Sequence, residues 1–222
     1  MTKTYTLPSS SVQVKVVTPD QPTNMVVILL PGIGGGAFSD RFTTLTQACV
    51  EKEISIALFD GWSGIPDVKE KTFNEIYSNL DEAISLLKEL GYVSITGIGK
   101  SFGGGILLTH PSHQITKKVL WAPAIGISES DSTLEQFKNI KLGEIGSLFD
   151  ITINKDFFKD IETSTLIIHG THDDRVPLSN SEKIISMMNT GELFTIEGAN
   201  HSYSNPEHEQ LVIQKTLEFL TN

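Results

Sequence analysis

The stretch Val93-Ser94-Ile95-Thr96-Gly97-Ile98-Gly99-Lys100-Ser101-Phe102-Gly103-Gly104-Gly105-Ile106-Leu107-Leu108-Thr109-His110 decides how this chain is read. Val93 to Ile98 has the apolar run of a strand and Phe102 to His110 that of a helix. Between them stands Gly99-Lys100-Ser101-Phe102-Gly103. A strand running straight into a helix is the setting in which G-x-S-x-G has chemical meaning. So tight a turn strains the serine backbone, and side chains two positions to either side would clash, which calls for glycine at both. The hydroxyl is then held above the strand ends, with the backbone N–H of Phe102 beside it at a helix start. That N–H is half of an oxyanion hole, and the helix dipole adds favourable potential there. A glycine-rich connector in an α/β protein would carry the same five residues, so the rest of the chain has to decide.

Working outward, the flanking segments repeat one theme. Met25 to Leu30 and Ile54 to Phe59 are apolar without alternation, as are Lys118 to Pro123 and Thr165 to His169 over most of their length. Strands of that kind are covered on both faces. Asp40 to Val50, Thr72 to Leu90, Leu178 to Met188 and Glu207 to Leu220 read as helices between or after them. In Thr72–Leu90 the apolar stripe is Ile76, Leu80, Ile84, Leu87 and Leu90, with Gly91 as the residue past the C-cap. Leu193 to Ile196 is a last strand. Only the first segments alternate with period two: Tyr5 and Leu7, then Val12, Val14 and Val16 or Val17, read as two antiparallel strands about the Pro8-Ser9-Ser10 turn. Asp60 to Pro66 reads as a loop. Ser128 to Glu162 is polar and weakly periodic, and reads as a small cap-like excursion above the sheet.

Alternating strands and helices imply a mostly parallel central sheet of about eight strands with helices on both faces, in a single domain spanning residues 1–222. Ligands in such sheets bind at the carboxyl ends of the strands, and the glycine-rich and polar loops leave from those ends.

Composition narrows the function. The net charge is −10, and there is no long basic run, which argues against nucleic acid and anionic membrane surfaces as partners and disfavours strongly anionic substrates. The longest apolar run near the N-terminus, Met25–Leu30, is far too short to span a bilayer, and a cytoplasmic protein is the simplest expectation. The one cysteine, Cys49, cannot form an internal disulfide and reads as a buried small hydrophobe. Oligomeric state is not legible.

A serine hydroxyl needs a base to take its proton, and the base needs an orienting carboxylate. Two downstream loops supply them: Gly170-Thr171-His172-Asp173-Asp174-Arg175-Val176-Pro177 and Glu197-Gly198-Ala199-Asn200-His201-Ser202-Tyr203. The chain order Ser101, Asp173, His201 separates this arrangement from the trypsin-like and subtilisin-like orders. Asp174 is the rival acid, and Asp173 could instead cap the helix that starts near Pro177. His169, His110, His113 and His208 read as structural or solvated. The cluster His169, His172, Asp173 and Asp174 is rich in metal-ligand types but lacks the helical spacing of zinc-protease histidines, so neither a metal nor another cofactor is expected.

With LLPGIGGG, GKSFGG, HGTHDDRVP and GANHSY standing in order at four strand ends, the sequence resembles the α/β-hydrolase family, in its small serine esterase and peptidase-like branch. The resemblance runs from Val26 to Leu220. It implies Ser101 as nucleophile, His201 as general base and then acid, and Asp173 as its orienter, since the family's G-x-x-D-x-x-V-P falls on Gly170 to Pro177. It also implies the N–H of Ile33, rather than Gly34, as the second oxyanion donor, although the usual HG-x stands here as Pro31-Gly32-Ile33 and lacks the bracing histidine. Losing one such donor costs about 3 kcal/mol of transition-state stabilisation. The implied reaction is acyl transfer to water, without cofactor, from a small or medium acyl ester. A thioesterase or peptidase of the same fold, or a non-catalytic ligand-binding protein on it, are the alternatives. Trp62, Phe38 and Phe102 are expected near the site, and Lys100 is expected to turn away from it.

Overall fold

The computed structural model describes residues 1–111, 113–128, 138–145, 152–159 and 161–222. Much of the expected excursion at 128–162 therefore lies outside the described residues. Among the described residues, ten strands and seven α-helices follow one another as β1 (Thr2–Thr6), β2 (Gln13–Val17), β3 (Met25–Leu30), α1 (Thr43–Glu51), β4 (Ser55–Asp60), α2 (Ile65–Glu70), α3 (Phe73–Glu89), β5 (Ser94–Lys100), α4 (Phe102–Thr109), β6 (Ile115–Trp121), β7 (Gly126–Ser128), β8 (Thr152–Asn154), α5 (Lys155–Lys159), β9 (Ser164–Gly170), α6 (Leu178–Met187), β10 (Gly191–Ile196) and α7 (Pro206–Thr221).

Eight strands form one sheet in the order β1-β2-β4-β3-β5-β6-β9-β10, and β7 pairs with β8 apart from it. The pairings β1–β2 and β2–β4 are antiparallel, and every other pairing in the large sheet is parallel. The hydrophobic pattern accounts for this arrangement. Along β3, Val26, Ile28 and Leu30 join one core with α3, α4 and α6, while Val27 and Leu29 join the opposite core with α1 and α7. A strand buried on both faces cannot alternate with polar residues. Each fully buried aliphatic side chain contributes about 2 kcal/mol of transfer free energy to that packing.

Helix α3 shows how local sequence sets an element. Thr72 caps it, accepting from the Glu75 N–H at 3.2 Å while the Glu75 carboxylate accepts from the Thr72 N–H at 2.6 Å. A reciprocal cap of this kind contributes about 1 kcal/mol. Ile76, Leu80, Ile84 and Leu87 are buried, and Gly91 ends the helix with φ +95°. Leu90, expected on the same stripe, is instead 40% exposed at the C-cap, where no further turn of helix follows to cover it.

Two features depart from the sequence reading. The segment after Asp60 is not all loop. Gly64 precedes helix α2, which carries Pro66 in its first turn, where a missing N–H costs nothing. Asp67 fastens its start by accepting from the Ser63 N–H at 2.9 Å. Six residues are too few for periodicity to reveal. One described part of the excursion, residues 138–145, lies against α2 and α3: Asn74 N–H donates to the Lys138 carbonyl at 3.1 Å and Leu142 N–H to the Lys71 carbonyl at 2.9 Å.

Candidate active site

Strand β5 ends at Lys100 and α4 begins at Phe102, so Ser101 is the whole of the turn between them. Its backbone is at φ 51°, ψ −115°, outside the regions open to ordinary residues. Three hydrogen bonds hold this strained conformation. Ser101 N–H donates to Trp121 O at 2.8 Å, and Ser101 O accepts from the N–H of Ala124 and of Gly105, each at 3.0 Å. The flanking glycines are a matter of contact. A Cβ on Gly99 would lie 2.5 Å from the Gly103 carbonyl oxygen, and one on Gly103 would lie 2.4 Å from that of Pro31.

The other two residues come from the loops after β9 and β10. His201 is 6% exposed, and its Nδ1 is 2.7 Å from Asp173 Oδ2. A nitrogen facing a carboxylate carries the proton, so Nδ1–H donates and the Nε2 lone pair of the neutral ring is left to accept. The second carboxylate oxygen of Asp173 accepts from the N–H groups of Arg175 and Val176 at 2.9 and 2.8 Å. Asp173 therefore shapes its own loop and orients His201 together, while helix α6 begins beyond it at Leu178. Asp174, the rival acid, is exposed. Burial pushes the Asp173 carboxyl up, but hydrogen bonds from His169, His201, Val176 and Arg175 outweigh it and hold the group well below the usual carboxylate range.

Ser101 and His201 line one cavity of about 560 Å³, together with Gly32, Ile33 and Gly34 of the loop after β3. Among the described residues, the Ser101 hydroxyl and His201 do not hydrogen-bond directly. Contacts of this kind commonly close only with substrate bound. The glycine loop is close to the serine: a Cβ on Gly32 would lie 3.7 Å from Ser101 Cβ. Gly35 N–H donates to Gly32 O at 2.9 Å, making Ile33 and Gly34 the two central residues of a tight turn. Gly103 N–H donates to Pro31 O at 3.1 Å, which ties the start of this turn to the first turn of α4.

Several supporting residues were not legible as such. The Trp62 indole N–H donates to Gly32 O at 2.8 Å and braces the loop that lacks the usual histidine. Trp62 and Phe102 are otherwise core, packed edge to face at 5.0 Å, and neither they nor Phe38 line the cavity. His169 is fully buried. Its Nε2 faces the Val176 carbonyl at 2.9 Å and Asp173 Oδ2 at 3.3 Å, and its Nδ1 faces the Ser181 hydroxyl at 2.7 Å. Two acceptors fix the proton on Nε2, so His169 buttresses Asp173. His172 and Asp174 are exposed, so of the four residues His169, His172, Asp173 and Asp174 only His169 and Asp173 meet.

Lys100 corrects the expectation most. It does not turn to solvent or to a salt bridge. Its Nζ donates to the His201 carbonyl at 2.5 Å and lies 4.7 Å above the Tyr203 ring. Burial pushes its ammonium down to about 8, against the attraction of Asp173 and with the help of Arg175 and Arg41. Tyr203 is itself anchored, donating to Ile168 O at 2.9 Å. The signal in the sequence was there in part, a lysine beside Ser101 and an aromatic two residues after His201, but nothing local links them. Cys49 is buried, and burial pushes its thiol up to about 12, which leaves it inert.

Comparison with known proteins agrees with this architecture. The model of the Prolyl oligopeptidase family matches residues 137–222, the part that carries Asp173 and His201. No curated protein matches the chain in sequence. Among solved structures, Est1E from Butyrivibrio proteoclasticus is similar with a TM-score of 0.75 at 16% identity, over 100% of this chain and 99% of its own. Dienelactone hydrolase from Anabaena variabilis gives 0.74 at 16% identity over 99% and 97%. The butyrate-bound thermophilic esterase Est2 from the planctomycete Thermogutta terrifontis gives 0.74 at 15% identity over 100% and 93%. The chain has the α/β-hydrolase fold, and the likeness read from its four motifs holds at that level. Among the described residues, no helix is long and apolar enough to cross a membrane.

Proposed function

We propose that this protein is a serine hydrolase that cleaves a small or medium carboxylic ester through an acyl-enzyme. One observation carries the reading: the strained Ser101 turn and His201 border the same cavity, with Asp173 Oδ2 2.7 Å from the His201 Nδ1. In this reading His201 Nε2 takes the Ser101 proton as Oγ attacks the acyl carbon. The N–H groups of Phe102 and Ile33 hold the oxyanion, and imidazolium returns the proton to the leaving alkoxide. Water then repeats the cycle, so one acid and one alcohol leave and Ser101 is regenerated. Asp173, kept ionised by its four hydrogen bonds, stabilises the imidazolium. No cofactor takes part. The whole chain, residues 1–222, acts as one domain with a small cap-like insertion at about 128–162, on a small-molecule acyl substrate in the cytoplasm, without nucleic acid as a partner. The esterase and hydrolase names of the similar structures support this chemistry.

The test is pre-steady-state hydrolysis of p-nitrophenyl acetate. The expected result is a burst of nitrophenolate near one equivalent, lost in Ser101→Ala, with turnover down by about 10⁴–10⁶-fold. Undiminished turnover in Ser101→Ala contradicts the reading. A thioesterase would favour acetyl thioesters over the matched oxygen esters by more than their intrinsic reactivity difference.

A further inference from the structure

The chain as a whole is acidic, but the wall of its cavity is not. Lys100, Arg41 and Arg175 line it beside Ser101 and His201, and Glu209 supplies a single carboxylate from α7. The two arginines reach it from independent elements. Arg41 lies in the 3₁₀ turn Asp40–Phe42 that follows the glycine loop. Arg175 lies in the loop after β9, where its backbone N–H is held by Asp173 Oδ1 at 2.9 Å. Both side chains act electrostatically on Lys100 Nζ, so three cations share one region. Like charges brought together repel unless something answers them. Yet among the described residues neither guanidinium nor the Glu209 carboxylate is in an ion pair, although Lys71, Lys141 and Lys215 elsewhere have found acidic partners. In a chain of net charge −10, two arginines left without partners at the one cavity that holds the nucleophile are placed where an anion would complete them.

We propose that the cavity selects esters that carry a free carboxylate, with Arg41 and Arg175 as the specificity-determining residues. A guanidinium presents paired N–H donors that match a carboxylate in two parallel hydrogen bonds. The strongly acidic surroundings disfavour a polyanion, while a single carboxylate is attracted locally and still approaches. Glu209, on the opposite side of the charge balance, would repel an anion from its own part of the wall and so helps set which way the substrate lies. The inference rests on the serine-hydrolase reading, and the reaction is the same hydrolysis: water adds across one acyl–oxygen bond.

The test uses the full chain and two matched ester pairs. Monomethyl against dimethyl adipate places the carboxylate on the acyl side, and 4-acetoxybenzoate against its methyl ester places it on the leaving group. The expected result is that, at low ionic strength, the carboxylate member of one pair is preferred at least tenfold in kcat/KM. In Arg41→Gln/Arg175→Gln that ratio falls at least tenfold, and in the wild type NaCl at about 0.5 M narrows it. No preference in either pair, or a preference that survives the double substitution, overturns the proposal. Binding separates this from the parent reading. Calorimetric titration of the carboxylate member of each pair, monomethyl adipate and 4-acetoxybenzoate, into Ser101→Ala protein needs no turnover. Heat of binding from either one that disappears when both arginines are also replaced supports the carboxylate site even if no ester is cleaved, and failure of both to bind Ser101→Ala overturns it even if p-nitrophenyl acetate is turned over.

Discussion

Asp173 divides its carboxylate, one oxygen closing its own loop and the other holding His201. Replacing it with Asn keeps the size but presents an amide to Nδ1 and selects the wrong tautomer. Asp173→Asn should lower kcat for p-nitrophenyl acetate by about 10⁴-fold, while Asp174→Asn, at an exposed position, should change it by less than about threefold. Equal losses in the two variants would move the acid to Asp174. Lys100 gives a pH prediction with a definite sign. Its ammonium faces Asp173, Arg175, Arg41 and the Tyr203 ring, and burial lowers it from 10.5 to about 8. As pH rises through about 8 the charge that strengthens its bond to the His201 carbonyl is lost. A kcat–pH profile should fall on the alkaline side of 8 in the wild type and stay level to about pH 10 in Lys100→Arg, whose guanidinium remains charged. Superimposable profiles would make Lys100 a packing residue only. At this scale the sequence was informative where chemistry is written as short spacing: Ser101, Asp173 and His201 each sit in a recognisable pattern. Lys100, His169 and Trp62 could not be assigned their partners, because those partners are set by tertiary approach across 101, 12 and 30 residues respectively.

The β5–α4 junction shows what an element boundary can cost. At Gly103 an added methyl meets the Pro31 and Leu30 carbonyl oxygens at 2.4 and 2.5 Å, both backbone atoms that cannot rotate aside. Gly103→Ala should destabilise the fold by at least about 3 kcal/mol in urea denaturation, beyond the usual range for one methyl. A loss under 1 kcal/mol would mean that the turn is looser than its geometry. Strand β6 offers the opposite case. Lys118 is 3% exposed in a strand covered on both sides, and burial lowers its ammonium to about 8. Between about pH 8 and 10.5 the unfolded side chain binds a proton that the native one does not, so this residue's burial costs stability below pH 8 and the cost fades as pH rises. Lys118→Met should therefore raise unfolding free energy at pH 7 by about 1–3 kcal/mol, with a smaller gain near pH 10. A gain independent of pH, or a loss, would contradict this. Covered strands such as β3 were legible because burial on both faces leaves no polar alternation. Helix α2 was not, since its stability comes from Pro66, Asp67 and its contacts with residues 138–145 more than from its own period.

Across the whole molecule, parallel strand order brings to one edge of the sheet four loops that are far apart in the chain. The order itself, with β4 outside β3 and β5 beside it, follows from crossovers that no local pattern encodes. Charge behaves in the same way. The sum of −10 pointed away from anionic substrates, but the arginines at the cavity show that a total does not describe a wall. The insertion at 128–162 is proposed to belong to the same domain, and calorimetry should show one cooperative transition; two separated transitions would divide it off. The most direct test of the central claim is chemical. The intact protein is treated with a fluorophosphonate and the modified peptide identified by mass spectrometry. Stoichiometric phosphonylation of Ser101, slowed severely in His201→Ala and absent in Ser101→Ala, is the predicted result. A folded protein that takes up no label, or takes it up elsewhere at the same rate in Ser101→Ala, would contradict the account.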